Sequence, residues 1–333
     1  MSTSGSYSFA IQTNDIIREA MLNIGKLGEA ESPTSQEFTD CQRKLNMIAK
    51  QWMAKQDFAP GLKMWKRRHG DLILSSSRFA YNLGPSGDNW AVSVAASAQP
   101  GVASLQGQLT ANAAINATTI TVGTTNILNI TAGDFVVIQL NTGDIYSTTV
   151  STVNNGAGTF TIPATGIPSA SSTGNYVFNY TTKGQRPEVI ETVLLRDNSG
   201  SDVPCRLLTL QDYEYLSSKQ QPGFLSDPAA IYYESQLGSG VLYLDVFGAQ
   251  DTSKRLHITY FEPVQDFVNT TDNPDYPQRW YLPLCWGLTK QIAPMFNLPF
   301  TKDMQDNLND ALAIARELDS DKDNIFFQPG IDV

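Results

Sequence analysis

The stretch at residues 13–52, TNDIIREAMLNIGKLGEAESPTSQEFTDCQRKLNMIAKQW, decides the fold. It reads as two helices carried on one capped hinge. Thr13 is placed to N-cap the first helix, with Asp15 in the first turn, where a carboxylate complements the helix dipole. Ile16, Ile17, Ala20, Met21, Ile24 and Leu27 recur at helical spacing, and Gly25 and Gly28 offer a stop. Thr34 and Glu37 then have the spacing of a capping box, which satisfies two backbone donors at once. Phe38, Cys41, Leu45, Ile48 and Trp52 follow in steps of three and four and form one apolar face. Helices are expected over 13–27 and 34–56. On periodicity alone this is an ordinary helical hairpin.

Outward from the hairpin, composition sets the bounds. A chain of 333 residues has the length of two domains. Its 23 Lys and Arg against 33 Asp and Glu give a formal charge of -10. Such a chain is poorly suited to wrapping phosphate backbones, although DNA could still slide past it. Cys41, Cys205 and Cys285 are odd in number and far apart, which predicts reduced core thiols rather than a disulfide framework or zinc site. Residues 1–9 lack the basic and apolar pattern of a signal peptide, and no apolar run is long enough to span a membrane.

After Trp52 comes the one dense basic cluster, Lys63-Met64-Trp65-Lys66-Arg67-Arg68-His69. It has three readings: a solvated loop, a contact with a protein partner anchored by Trp65 and the arginines, or a DNA contact. Strands are expected at 71–74 and 79–83, followed by a turn at Gly84-Pro85-Ser86-Gly87-Asp88. Between Asp88 and Lys183 the only formal charges are Asp134 and Asp144. Short Thr-rich strand patterns recur there, with a hairpin signal at Asn154-Asn155-Gly156-Ala157-Gly158. Residues 93–183 therefore read as an inserted all-β sandwich or barrel. Charge returns at Lys183, and strands at 190–195, 205–208, 231–233, 241–246 and 256–260, with a short helix at 210–219, make a meander-like set. The chain ends helically over 279–296 and 302–318, with Leu284, Leu288, Ile292 and Met295 as one stripe and Leu308, Ala311, Leu312, Ala315 and Leu318 as another.

Catalytic signatures are absent. There is no phosphate-binding Gly-rich loop and no His-Glu-x-x-His. Neither His69 nor His257 accompanies a nucleophile-elbow motif. Asp319, Asp321 and Asp323 mimic the start of a calcium loop, but Asn324 and Gly330 stand where Gly and a bidentate Glu are needed. No metal and no cofactor is expected.

Thr13-Asn14-Asp15-Ile16-Ile17, Ala20-Met21, Ile24-Gly25, Thr34, Glu37, Leu45-Asn46-Met47 and Trp52 resemble the opening of podovirus head-to-tail adaptors, the packaged-DNA stabilisation or tail tubular protein A group. Phe79-x-Tyr81-x-Leu83-Gly84-Pro85-x-Gly87-Asp88, then Arg186-Pro187 and Ile190, are similar to the segments that follow in that family. So are Leu210-x-x-Tyr213-Glu214 with Lys219, Pro228 with Tyr232-Tyr233, and Pro277, Leu284, Leu288 and Ile292-Ala293-Pro294. The resemblance covers roughly residues 8–92 and 184–320, in order. It breaks at the insert, and Leu244-Asp245-Val246-Phe247 lacks the prolines often found there.

The resemblance implies an α+β fold. A helical bundle of N-terminal hairpin and C-terminal helices, with a β-meander, would form a discontinuous core over 1–92 and 184–333. It also implies a homo-oligomeric ring, usually of twelve copies, in the neck of the virion and assembled in the host cytoplasm. The ring would sit between the portal protein and the tail nozzle protein, with double-stranded DNA passing through the lumen. The last helix and tail would reach the portal, and Ile325, Phe326, Phe327, Pro329 and Ile331 are the expected anchors. Lys63, Trp65, Lys66, Arg67 and Arg68 are the candidates for tail-partner or DNA contact. Rival readings are a tail nozzle or other tail component, or a virion glycan-binding protein with the insert as carbohydrate module. A glycosidase would need two carboxylates across a cleft, and the insert offers only Asp134 and Asp144.

Overall fold

A computed structural model describes residues 5, 9–28, 30–54, 64–92 and 104–317. It is an α+β protein that divides into two compact units, Met1–Lys66 with Pro263–Val333, and Arg67–Glu262. Its α-helices among the described residues are α1 (Thr13–Asn23), α2 (Ser35–Ala54), α3 (Leu210–Glu214), α4 (Tyr281–Ile292) and α5 (Lys302–Glu317).

The first unit brings together helices from the N-terminal and C-terminal parts of the chain. α4 lies against α1, α2 and α5. Its core takes Ile16, Ile17, Ala20 and Met21 from α1 and Cys41, Leu45, Ile48 and Ala49 from α2. Leu284, Cys285, Leu288 and Ile292 of α4 and Ala315 of α5 complete it. Apart from Ala49 and Cys285, these are the periodic apolar positions of the sequence.

The ends of the helices differ from expectation in several places. Thr13 is not the cap of α1 but its first residue; it is fully buried and its hydroxyl donates to the Asp272 carbonyl at 3.0 Å. Gln12 occupies the cap, and its N–H donates to Asp15 Oδ2 at 3.0 Å. α1 stops at Asn23 because Gly25 turns into the left-handed region at φ +73°. The expected helix over 279–296 is broken into a 3₁₀ turn Gln278–Trp280, α4, and a 3₁₀ turn Ala293–Phe296. Pro294 has no N–H to continue the α-helical pattern, and Met295 is left 38% exposed. Leu318 lies outside the described residues. The hinge box is as read: Thr34 N–H donates to Glu37 Oε2 at 3.0 Å, and Glu37 N–H donates to Thr34 Oγ1 at 3.3 Å. These bonds to Thr34 hold the Glu37 carboxyl below its ordinary range.

The second unit contains the strands β1 (Arg67–Ile73), β2 (Ala80–Leu83), β3 (Trp90–Val92), β4 (Ser104–Gln108), β5 (Thr119–Thr121), β6 (Phe135–Gln139), β7 (Ile145–Thr149), β8 (Thr152–Asn154), β9 (Thr159–Thr161), β10 (Tyr176–Tyr180), β11 (Val189–Arg196), β12 (Asp202–Leu207), β13 (Leu225–Ser226), β14 (Ala230–Ser235), β15 (Gly240–Leu244), β16 (Gly248–Ala249) and β17 (Arg255–Phe261). Eight of them form one sheet in the order β2-β15-β14-β12-β11-β17-β1-β3. The expected meander survives only in the hairpins β11–β12 and β14–β15. β12 and β14 pair in parallel across the excursion that carries α3, and β1 pairs with β17 from the far end of the unit. One face of this sheet closes around Leu72, Tyr81, Trp90, Val193, Ile231, Leu242, Ile258 and Tyr260. Trp90 fits there because Gly70 and Gly184 lie against it; a Cβ on either would overlap its ring.

Residues 104–180 build two further sheets, β4-β10-β6-β7 and β5-β9-β8. Ile120, Val136, Ile138, Phe160 and Val177 fill the core between them. A separate cluster joins this segment to the large sheet: Val137, Phe178 and Tyr180 pack on Ile73 and Ala91.

Candidate functional site

The basic cluster, continuous in sequence, is dispersed in the structure. Lys63 lies outside the described residues, as do Ile325, Phe326, Phe327, Pro329 and Ile331. Trp65 packs at the edge of the helical core, and its Nε1–H donates to the Asp275 carbonyl at 3.3 Å. Lys66 is buried and pairs with Asp275. Arg67 and Arg68 open β1 rather than lying in a loop, so they point to opposite faces of the strand. Arg67 Nη2 meets Glu191 Oε1 at 2.8 Å, and Arg68 Nε meets Glu262 Oε2 at 3.4 Å.

A polar seam follows from the same alternation. Arg67, His69 and Asp71 on β1 share a face with Arg255, His257 and Thr259 on β17, because Asp71 is in register with His257 and His69 with Thr259. Asp71 is fully buried. It accepts from His257 Nδ1 at 2.7 Å and from Arg255 Nε at 2.9 Å. The two imidazoles stack with centroids 5.5 Å apart and an interplanar angle of 9°. His69 Nδ1 lies 3.2 Å from Thr259 Oγ1. Burial first, then the neighbouring His257, Arg67 and Arg196, pushes the His69 pKa below its ordinary value, with Glu191 opposing. A carboxylate that orients an imidazole is half of a nucleophilic triad. Here no hydrogen bond among the described residues joins either imidazole to a serine or cysteine. The geometry is that of a buried charge network that locks β1 to β17.

A cleft of about 340 Å³ lies elsewhere in the same unit, where the charge-poor segment leaves and rejoins the large sheet. Arg78 and Asp88 form a two-pronged ion pair on one wall, and the guanidinium lies 5.2 Å from the Tyr81 ring centroid. Asp144 stands on the other wall, bonded by Ser75, by Ser77 Oγ at 2.7 Å and by Ile145 N–H at 2.8 Å. Lys183 Nζ donates to the Gly87 carbonyl at 2.6 Å. Asp134, the other charge of the insert, is buried and accepts from Thr131 N–H at 2.9 Å and Asn179 Nδ2 at 3.0 Å. It serves the fold.

The three thiols are buried, and burial raises Cys41 and Cys205 to about 11 and Cys285 to about 12. Among the described residues no group of three or more His, Cys, Asp or Glu side chains could hold a metal ion. Nor, among those residues, is any helix long and apolar enough to cross a membrane.

Sequence reading missed Asp71, Arg255, Arg78 and Lys183 as members of these sites. The signal for the seam was present: Arg67-x-His69-x-Asp71 and Arg255-x-His257-x-Thr259 place polar residues at every second position of strands whose other positions are apolar or Gly, apart from Arg68. No known family model matches the chain. No characterised protein matches it either.

Proposed function

We propose that the chain is a structural protein of a tailed-phage virion, a head-to-tail adaptor that joins the portal to the tail nozzle. The observation that carries this reading is the packing of α1 and α2, from the N-terminal part of the chain, with α4 and α5, from its C-terminal part, in one unit. The ordered motifs similar to the adaptor family fall on its helices and on the strands between them. In this reading α1, α2, α4 and α5 are the bundle of the adaptor, and several copies form a ring around the DNA path. Twelve copies at a net charge of -10 would carry about -120, a field that keeps a polyanion mobile in the lumen. The pairing of Lys66, Arg67 and Arg68 with carboxylates supports a lumen that does not grip phosphate. No reaction is assigned to the chain.

The sixteen residues after α5 include Phe326 and Phe327 and serve as the portal anchor. Burying each phenyl ring contributes about 1.5–3 kcal/mol, and a ring repeats the contact in every subunit. Truncation after Lys322 tests this. Portal binding is expected to vanish while the melting temperature stays unchanged. A large drop in melting temperature, with binding kept in the folded fraction, would show instead that the tail completes its own subunit.

A further inference from the structure

We propose that the cleft between Asp88 and Asp144 is a binding site for a neutral, polyhydroxylated ligand, a single sugar residue. The two points at which the composition of the chain changes, Asp88 and Lys183, both line it, so the insertion itself creates the cleft. Its volume of about 340 Å³ lies at the lower end of small-molecule sites, roughly 300–1,000 Å³. It accommodates one hexose ring rather than an extended chain.

Charge selects the class of ligand. Arg78 and Lys183 are balanced by Asp88 and Asp144. A free anion would meet two carboxylates there and a free cation two basic groups, so neither gains from the field. The hydrogen-bonding capacity that remains is mixed. Lys183 Nζ gives one of its three N–H donors to Gly87 and lies 5.1 Å from the Phe135 ring centroid, which leaves one donor for a ligand. The Asn89 side chain accepts from Tyr180 OH at 3.5 Å, and its amide nitrogen donates to no protein atom among the described residues. Asp144 Oδ2 accepts from Ser77 and keeps a further lone pair. Lys183 and Asn89, with donors, and Asp144, with an acceptor, therefore line one space. A hydroxyl group, which donates and accepts at once, satisfies both kinds. The site is preformed, because the Arg78–Asp88 pair and the serine bonds to Asp144 already fix its walls.

The test is saturation-transfer NMR on the full chain with D-glucose, D-galactose, D-mannose and N-acetyl-D-glucosamine, and with inorganic phosphate and choline as charged probes. At least one sugar should receive saturation from the protein, and neither charged probe should. Lys183→Ala and Asn89→Ala should each weaken the bound sugar roughly tenfold, the loss expected for one hydrogen bond to a charged or buried group. Ser147→Gln, at an exposed position on the rim, should block the cleft in folded protein, although it also removes the Ser147 bond to Tyr180. Silence of all four sugars would overturn the proposal. So would sugar binding unaffected by Ser147→Gln in folded protein, or binding of phosphate or choline in preference to the sugars.

Discussion

In an Asp71→Asn variant the side chain keeps its volume and loses its charge. Asp71 is fully buried and holds Arg255 Nε at 2.9 Å and His257 Nδ1 at 2.7 Å. Arg255 has few other satisfied donors, since its Nη1 is buried with no hydrogen-bond partner. Removing one partner of a buried ion pair costs about 3–5 kcal/mol, because the other charge stays behind uncompensated. Asparagine still offers one acceptor, so the lower end, about 3 kcal/mol, is expected. For a unit the size of Arg67–Glu262, each kcal/mol moves the melting temperature by about 2–4 °C, giving a drop of roughly 6–12 °C.

The same seam sets a pH dependence. The fold holds His69 below its ordinary pKa, so the unfolded chain takes up that proton first. Stability from this group is complete above about pH 6.5 and falls as the pH drops through and below that value. The slope should persist in Asp71→Asn and disappear in His69→Gln. Thermal unfolding followed by circular dichroism gives the magnitude. Hydrogen exchange of peptides covering β1 and β17 shows whether the loss is local. A fall of less than about 2 °C with unchanged exchange in both strands would refute the reasoning, since it would mean that Asp71 carries less than about 1 kcal/mol.

Two further outcomes follow from the cores. Cys41, Cys205 and Cys285 are buried with raised pKa values, so all three should resist a thiol reagent at neutral pH in the native protein and react in denaturant; rapid native labelling of any one would contradict its placement. Excision of the charge-poor segment by joining Asp88 to Lys183 should prevent folding, because it removes the fully buried Trp90. A join from Val92 to Thr182, whose backbones already bond at 3.3 Å, should fold. It should melt lower, since Ile73 and Ala91 lose the cover of Phe178 and Tyr180, a cost of about 1.5–3 kcal/mol for each large side chain uncovered. Equal behaviour of the two joins would count against the role given to Trp90.

The helices were legible because their signals are local. The stripe from Ile16 to Met21 and the box at Thr34 and Glu37 need only neighbours three or four positions away. The exact ends were less so, as at Thr13, whose hydroxyl is claimed by Asp272, a partner 259 positions distant. The sheet shows the same limit more strongly. Lys66, Arg67 and Arg68 read as a solvated loop or as a contact with a protein partner or DNA, because their carboxylate partners are remote in sequence: Asp275, Glu191 and Glu262. The insertion points at Asp88 and Lys183 were visible in composition, but the cleft they form was not, because Asp144 reaches Ser75 and Ser77 only once the chain is folded. The parallel pairing of β12 with β14 leaves no trace in the pattern of either strand.

Electron microscopy of the purified chain, alone and mixed with the portal protein of the same virion, tests the adaptor reading most directly. The account predicts a closed ring of this chain stacked coaxially on the portal, with an open channel wide enough for duplex DNA. A chain that stays monomeric at micromolar concentration and leaves the portal bare would contradict it.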